Sequence, residues 1–209
     1  QSRSGVIDVK CLFSFYIEKT LSRLAQYLQQ FEPGAEESSC IAINSLKCKP
    51  ISLLLKEHEN SLVHEGQASF YHGDFHTDNV IYHKGEYRLI DWRPSFGFSK
   101  QLGDCYYDLA KFLHTLHLNV DTMKRGDYLI TKYESGIVLE HTAPFGSIEA
   151  LEAFYDFVRQ ESYNVTRIRL INALIFINMA PLYEKKLAQY LYLLGRYLLQ
   201  QITDIEEGS

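Results

Sequence analysis

Hydrophobic residues recur at helical spacing in the first third of the chain. Residues 12 to 31 carry apolar side chains three or four positions apart, which predicts a helix that a Pro-Gly pair ends. Polar residues 34 to 49 predict a loop, and the apolar run after Pro50 predicts a second helix over 51–63.

The middle of the chain has the pattern of short strands. The segments ASFYH and NVIYH are rich in aromatic and β-branched residues, and residues 80 to 92 predict a hairpin that turns at Lys84-Gly85-Glu86. Residues 128 to 139 fit either a second hairpin about 134–136 or one irregular helix, and periodicity leaves both open.

The remaining segments predict helices. Asp104 begins a helix to about residue 117, and Ser147 is the predicted N-cap of a helix to about residue 162. Helices over 165–179 and 182–202 follow, separated by Pro181. We therefore expect a single α+β domain over residues 1–209, mainly helical, with a small β-hairpin element in its middle.

Composition narrows the class of protein. The 209 residues are 46% hydrophobic and 22% charged, as in an ordinary globular protein. A net charge of −5 with no Lys/Arg block argues against nucleic acid as a partner. No apolar run approaches a membrane span, and the four cysteines form no C-x-x-C pair, so we expect a cytoplasmic protein with reduced thiols and no membrane partner.

Three oxygen-bearing side chains lie close together along the middle of the chain. Asp74 and Asn79 are five residues apart on a predicted loop, and Asp91 follows the predicted hairpin, twelve residues after Asn79. A strand pair that runs out and back delivers Asp91 beside Asn79. Hard oxygen donors with few protein ligands suit Mg²⁺ that bridges the phosphates of a nucleotide.

These residue types match the needs of phosphoryl transfer. In that reaction the protein mainly positions groups and neutralises charge, while one carboxylate takes or orients the proton of the attacking hydroxyl. Asp74 suits this base, and Asn79 with Asp91 suits the metal.

The same stretch resembles a known family. HGDFHTDN, then LIDW, then GDCYYDLA resemble the catalytic motifs of the aminoglycoside phosphotransferase and choline kinase family, in order and spacing over residues 72 to 110. The resemblance implies the C-terminal catalytic lobe of a protein-kinase-like fold, whose hairpin element carries the catalytic and metal-binding loops. It also implies that Asp74 is the catalytic base, that Asn79 and Asp91 bind Mg²⁺, and that ATP phosphorylates a hydroxyl of a small molecule.

The resemblance assigns supporting roles to four further residues. His72 corresponds to the structural histidine before the catalytic loop, and His76 to the second motif histidine. Asp104 and Asp108 correspond to the acidic pair that orders the catalytic loop and starts the next helix.

The chain departs from the family pattern in two places. A kinase of this class needs a smaller nucleotide-binding lobe with a phosphate-covering loop and a lysine, but the segment before His72 reads as helical and contains no G-x-G-x-x-G. We therefore expect the N-terminal lobe, supplied by the same full-length protein, to be absent from this chain. The second departure is Arg93-Pro94 after LIDW, where a guanidinium can pair with a phosphate or with a carboxylate.

The acceptor is predicted only by class: an aminoglycoside, a sugar or a choline-like alcohol. Aromatic residues at 92, 106, 107 and 183 could form a box for a quaternary ammonium, although aromatics at helical spacing usually belong to the core. Carboxylates on the late helices could bind an amino or hydroxyl group. The candidate substrate-binding residues are Trp92, Arg93, Tyr107, Tyr183 and Glu184.

Other readings of the motif residues stay open. His72 and His76 alternate with Asp74 as metal ligands would on a strand, but the further G-N-H cluster of a metallophosphatase is missing from the sequence. His114 and His117 lie one helical turn apart without a third ligand. The alternative function is a catalytically inactive kinase-like lobe that serves as a binding or scaffolding module.

Overall fold

The computed structural model describes residues 7–34, 39–100 and 102–207. It is a mixed α/β protein, 57% helical, with small sheets. The helices are α1 (Val9–Phe13), α2 (Lys19–Phe31), α3 (Ile51–Glu57), α4 (Glu59–His64), α5 (Cys105–His117), α6 (Val120–Arg125), α7 (Ser147–Gln160), α8 (Val165–Met179) and α9 (Lys185–Glu207). The strands are β1 (Ile41–Ile43), β2 (Leu46–Cys48), β3 (Ala68–Ser69), β4 (Val80–His83), β5 (Glu86–Leu89), β6 (Gly103–Asp104), β7 (Tyr128–Tyr133) and β8 (Gly136–His141).

The strands pair into separate small sheets. One sheet has the order β2-β1-β8-β7, in which β1 runs parallel to β8 and the other pairs are antiparallel. The antiparallel pair β3-β6 ties the segment before the catalytic motif to the start of α5. The hairpin β4-β5 pairs Val80 with Leu89 and His83 with Glu86, which confirms the predicted hairpin, although its pairing ends at Leu89.

The first predicted helix is continuous but not regular. Between α1 and α2 the backbone forms a π-helical turn over Ser14–Glu18. Such a wide turn inserts one extra residue and is found often at functional sites. Here it lies where the helix passes the cleft described below.

Two predictions are corrected by the structure. Residues 34 to 49 are not simply a loop, because β1 and β2 form a hairpin in the described part, whereas 35–38 lie outside the described residues. The turn residues Asn44 and Ser45 both have positive φ, as a tight hairpin turn requires. Ser147 is not an N-cap: it is the first residue of α7, and Gly146 precedes it with a φ of 70°.

The ambiguous segment 128–139 is a hairpin of β7 and β8, so the irregular-helix reading is wrong. The predicted strand ASFYH is reduced to β3. The helices expected around Pro181 are α8 and α9, with Pro181 in a short 3-10 turn between them.

Helix α8 forms the centre of the core, where it packs against α5 and α9. Gly195 of α9 permits this packing, since a Cβ there would lie 2.5 Å from Ile177 Cγ1. The 18-residue segment Val165–Leu182 has a mean hydropathy of 1.3, long and apolar enough to cross a membrane by composition, but 67% of it is buried in the fold. The expectation that no such run exists is therefore wrong, and core burial accounts for the run.

Candidate active site

Asp74 lies on the loop between β3 and β4, at the edge of a cleft. Its Oδ2 is 2.5 Å from Arg93 Nη2, and its Oδ1 is 2.8 Å from Lys111 Nζ. His76 Nε2 is more distant, 3.9 Å from Oδ1. Each carboxylate oxygen therefore has a cationic partner, one from the segment after β5 and one from α5.

The surrounding charges keep Asp74 ionised. Burial raises the pKa of this carboxyl, but Lys111 and Arg93 outweigh burial and bring the pKa down to about 2. Because Lys111 is nearly buried and Arg93 is largely exposed, the lysine is the less screened of the two partners.

Asp108 holds the loop from α5. Its carboxylate accepts hydrogen bonds from the backbone N–H groups of His72, at 2.6 Å, and Gly73, at 2.8 Å. His72 adds a further constraint, because its Nδ1 accepts the N–H of Asp74 at 3.2 Å. Burial raises the pKa of Asp108, while the two backbone donors lower it. The predicted ordering of the loop by an acidic residue thus has a defined geometry.

Asn79 is buried and is used within the same loop. Its Nδ2 donates to the Asp74 carbonyl at 2.9 Å and lies 3.1 Å from His76 Nε2. The amide Oδ1 has no hydrogen-bond donor among the described residues, which leaves it as the atom that can face a cation. The supporting role predicted for His76 corresponds to this contact with Asn79.

Asp91 follows the hairpin, as predicted. The residue before it, Ile90, brings the chain back to Asn79. Ile90 donates its backbone N–H to the Asn79 carbonyl at 3.1 Å. Asp91 itself is exposed and has a φ of 59°, in the left-handed region. An amide oxygen and a carboxylate are donor types that Mg²⁺ accepts, since this ion retains several waters and takes few protein ligands. Within the described residues no three His, Cys, Asp or Glu side chains cluster as a fuller metal site.

Asp104 belongs to the core rather than to the cleft. Its carboxylate is fully buried, pairs with Arg167 Nη2 at 2.5 Å and accepts the Tyr16 hydroxyl at 2.9 Å. It also accepts the backbone N–H groups of Gln67 and Tyr106, the second of which caps α5. The prediction that this residue starts the helix is confirmed.

A cleft of about 530 Å³ opens beside Asp74, between α2, the loop that carries Asp74, α5 and α8. One wall is polar and the other is apolar. The polar wall includes Lys19, Arg23, Arg93 and Lys111, and the apolar wall includes Ile171, Leu174, Ile175 and Met179.

The predicted substrate-binding residues are divided by the structure. Arg93 and Tyr107 line the cleft, whereas Trp92 is 55% exposed and stacks its ring near His72. Tyr183 is partly exposed and does not line the cleft. Glu184 caps α9, because its carboxylate accepts the backbone N–H groups at 186 and 187.

The proposed aromatic box is not assembled. Tyr106 packs against Tyr163, while Tyr107 packs against Phe15 and Phe96. Over the parts of the chain that the structure describes, no ring contact joins any two of the four candidate aromatics. Of these four aromatics, Tyr107 alone lines the cleft.

Sequence reasoning named Arg93, which can pair with a carboxylate, but missed the three lysine and arginine side chains that lie with it around Asp74. Lys111 lies three residues after Asp108, on the same face of α5, so the role expected for Asp108 could have led to it. Lys19 and Arg23 come from α2, and no local motif connects them with the catalytic loop. Arg167 was missed because a charged residue within an apolar helix gives no sign of its distant partner.

The loop between β3 and β4 therefore presents the ionised carboxylate of Asp74 close to the amide of Asn79, which can face a cation. The family model described as "Phosphotransferase enzyme family" (APH) matches residues 12–136, more than half of the chain. The chain belongs to this phosphotransferase family, which is consistent with the resemblance found in the motifs. No curated protein and no solved structure gives a significant match.

Proposed function

We propose that this protein transfers the γ-phosphoryl group of ATP, with Mg²⁺, to a hydroxyl of a small molecule. The observation that carries the proposal is the position of Asp74: its ionised carboxylate faces a cleft, and its loop also carries Asn79 next to the returning hairpin. Family membership supports the same reaction class.

Asn79 Oδ1 and the Asp91 carboxylate would hold the metal. Mg²⁺ held by these two residues would supply positive charge that neutralises the phosphate group during transfer. The loop contributes rigidity, because Asp108 fixes the backbone at His72 and Gly73. Rigidity keeps the carboxylate and the amide at a constant separation, as in-line transfer requires.

The low pKa of Asp74 determines how it acts. A carboxylate with a pKa of about 2 is a weak base, so it holds and orients the acceptor hydroxyl rather than removing its proton early. Phosphoryl transfer passes through a loose transition state that needs little nucleophile activation. Lys111 and Arg93 then stabilise negative charge near the transferred group.

A nucleotide-binding lobe of the same full-length protein completes the proposed kinase-like arrangement, in which this chain is the C-terminal lobe. In support, the hairpin β4-β5 exposes large apolar side chains, with Tyr82 64% and Tyr87 74% exposed. Exposed apolar area of this kind is typical of a surface that another unit covers. We also propose a cytoplasmic location, where ATP is available.

The proposal is tested with the full-length protein, Mg-ATP and a panel of sugars, amino sugars and amino alcohols. We expect acceptor-dependent ADP release and a phosphomonoester in the phosphorus NMR spectrum, both lost with EDTA and restored by Mg²⁺. The absence of acceptor-dependent transfer, together with no Mg-ATP binding by calorimetry, would contradict the proposal.

One observation favours the alternative of an inactive binding module. Both oxygens of Asp74 already have cationic partners, so an acceptor hydroxyl would share the carboxylate with two cations and meet a weaker acceptor. Calorimetry separates the two functions, because a binding module would bind an acceptor-like ligand without turnover of Mg-ATP.

A further inference from the structure

The cleft beside Asp74 carries an excess of positive charge. Among the residues that line it, Lys19, Arg23, Arg93 and Lys111 are cationic, and Asp74 is the single carboxylate. One carboxylate neutralises one of these charges, so the lining retains a net positive charge of three. This sign is opposite to that of the whole chain, which has a formal charge of −5.

Two of the four cations have no carboxylate partner. Arg93 and Lys111 pair with Asp74. In the described part of the chain, Arg23 Nη1 instead donates to the neutral Gln26 Oε1 at 2.9 Å, and Lys19 Nζ lies 4.2 Å from the centre of the Phe15 ring. Both side chains are only partly exposed.

Lys19 responds to this surplus of charge. Burial lowers its pKa to about 8, and the charges of Arg23, Lys111 and Arg93 contribute in the same direction. No carboxylate is among the groups that shift it. An anion in the cleft would relieve this repulsion, since opposite charges at close range favour the charged form of the lysine.

The surplus charge lies away from the proposed metal ligands. Asn79 and Asp91 do not line the cleft, whereas Asp74 does. If the nucleotide is held from the side of Asn79 and Asp91, the cleft is the side from which the acceptor reaches Asp74. The lining from α8 supplies an apolar wall for the carbon skeleton of that acceptor.

We propose that the acceptor is an alcohol that also carries an anionic group, a phosphate or a carboxylate, bound by Lys19 and Arg23 with its hydroxyl at Asp74. This inference rests on the proposed function for the role of Asp74. An arginine and a lysine on adjacent turns of α2 bind such a group by charge-assisted hydrogen bonds. The same cations disfavour amino sugars and choline-like alcohols, which carry positive charge.

The test uses ligands that share the same sugar ring and differ in their net charge. Glucuronate, glucose and glucosamine are each titrated into the full-length protein in the absence of nucleotide, and calorimetry measures each Kd. Glucose 6-phosphate is a fourth ligand that distinguishes phosphate from carboxylate as the preferred anion. We expect an anionic ligand to bind at least about tenfold more tightly than glucose, and glucosamine to bind most weakly.

Variants locate the preference. In Arg23→Gln and Lys19→Met the advantage of the anionic ligand over glucose should fall about tenfold, whereas Lys124→Gln, on the exposed face of α6, should retain it. Circular dichroism confirms that the variants are folded. If both cleft variants keep the full preference for the anionic ligand over glucose, the proposed role of Lys19 and Arg23 is wrong.

Other results overturn the inference without ambiguity. Equal binding of the charged and neutral ligands, tighter binding of glucosamine, or no binding of either anionic ligand contradicts an anionic acceptor. Loss of anion binding in the presence of saturating Mg-ATP would assign the cations to the nucleotide and also contradicts it.

Failure of the proposed function gives a different pattern. In that case the anionic preference and its loss in Arg23→Gln persist, but no ligand is phosphorylated from Mg-ATP. Conversely, rapid phosphorylation of glucosamine in preference to glucuronate would retain the phosphotransferase and remove the anionic acceptor.

Discussion

Two aspartates of this protein each contact a cation, yet their surroundings differ. Asp104 and Arg167 are both fully buried, and the carboxylate of Asp104 also accepts three other hydrogen bonds. Asp74 faces a cleft and pairs with Lys111 and the largely exposed Arg93. The first cluster is closed to any ligand, and the second is open to one.

The comparison shows that two properties distinguish a structural ion pair from a candidate catalytic one: how deeply the pair is buried and how many further hydrogen bonds its carboxylate accepts. A buried pair whose carboxylate accepts several further hydrogen bonds resists change, because removing one partner leaves an unpaired charge in the core. An ion pair at a cleft can exchange a partner for a substrate group at lower cost, since water and mobile side chains screen the charges.

The sharpest contrast is expected from Asp74→Asn. We expect kcat to fall about a thousandfold, because the neutral amide carries no charge with which to orient the substrate hydroxyl and take up its proton. The free energy of unfolding should fall less than in the core variant described next, since the carboxylate of Asp74 lies at a cleft and Arg93 is largely exposed. Steady-state kinetics and urea unfolding measure both quantities. Near-normal turnover in the variant would remove Asp74 from the mechanism.

Arg167→Met should give the opposite result. It leaves the carboxylate of Asp104 buried without its cation, and we expect the free energy of unfolding to fall by about 3–5 kcal/mol. Turnover per folded molecule should persist. Arg159→Met is the matched control, because Arg159 makes an exposed pair with Asp156, and its stability in urea should hardly change. Similar losses in the two variants would contradict the comparison.

Asp91→Asn tests the proposed metal site beside the open cluster. Removing one anionic ligand should raise the Mg²⁺ concentration for half-maximal activity about tenfold or more, with a smaller effect on kcat at saturating Mg²⁺. Asp78 is an exposed carboxylate next to Asn79, and Asp78→Asn should leave the Mg²⁺ dependence unchanged. An equal shift in both variants would mean that Asp91 holds no metal.

Lys111→Met should have the smallest effect, and it appears in the pH profile. The carboxyl of Asp74 has a pKa of about 2 against an ordinary 3.8, so it is ionised at any assay pH and adds stability that is lost as the pH falls from 3.8 toward 2. Without Lys111, Arg93 alone opposes the effect of burial, so the pKa of Asp74 rises.

For Lys111→Met we therefore expect kcat/KM to decline at a higher pH than in the unmodified protein as the solution is acidified. NMR titration of the labelled carboxyl gives the pKa directly. Lys124→Met is the control for a general charge effect. An unchanged Asp74 pKa in the Lys111 variant would show that the lysine does not set it.

The sequence allowed the core of the loop to be predicted, because its signals are local. Asp74, Asn79 and Asp91 share one loop and one hairpin, and Asp108 follows at a fixed spacing on α5. The backbone contact between Ile90 and Asn79 agrees with that prediction, while metal binding by Asp91 stays a prediction.

The rest of the site depends on long-range packing. Lys19 and Arg23 reach the cleft only because α2 packs against α8, and Arg167 meets Asp104 across the core. The β1-β2 hairpin was missed for a related reason: such short strands are stabilised by the neighbouring β8, which the local pattern does not contain.

The π-helical turn over Ser14–Glu18 has an evolutionary consequence. On its N-terminal side, Cys11 contacts the Phe96 carbonyl through its thiol, and on its C-terminal side Lys19 and Arg23 face the cleft. Because a π-helical turn accommodates one extra residue locally, losing one codon here would restore regular winding and leave the flanking turns facing as they do now. Such a deletion would change the shape of the cleft wall at Phe15 and Tyr16 while every motif letter around Asp74 is preserved.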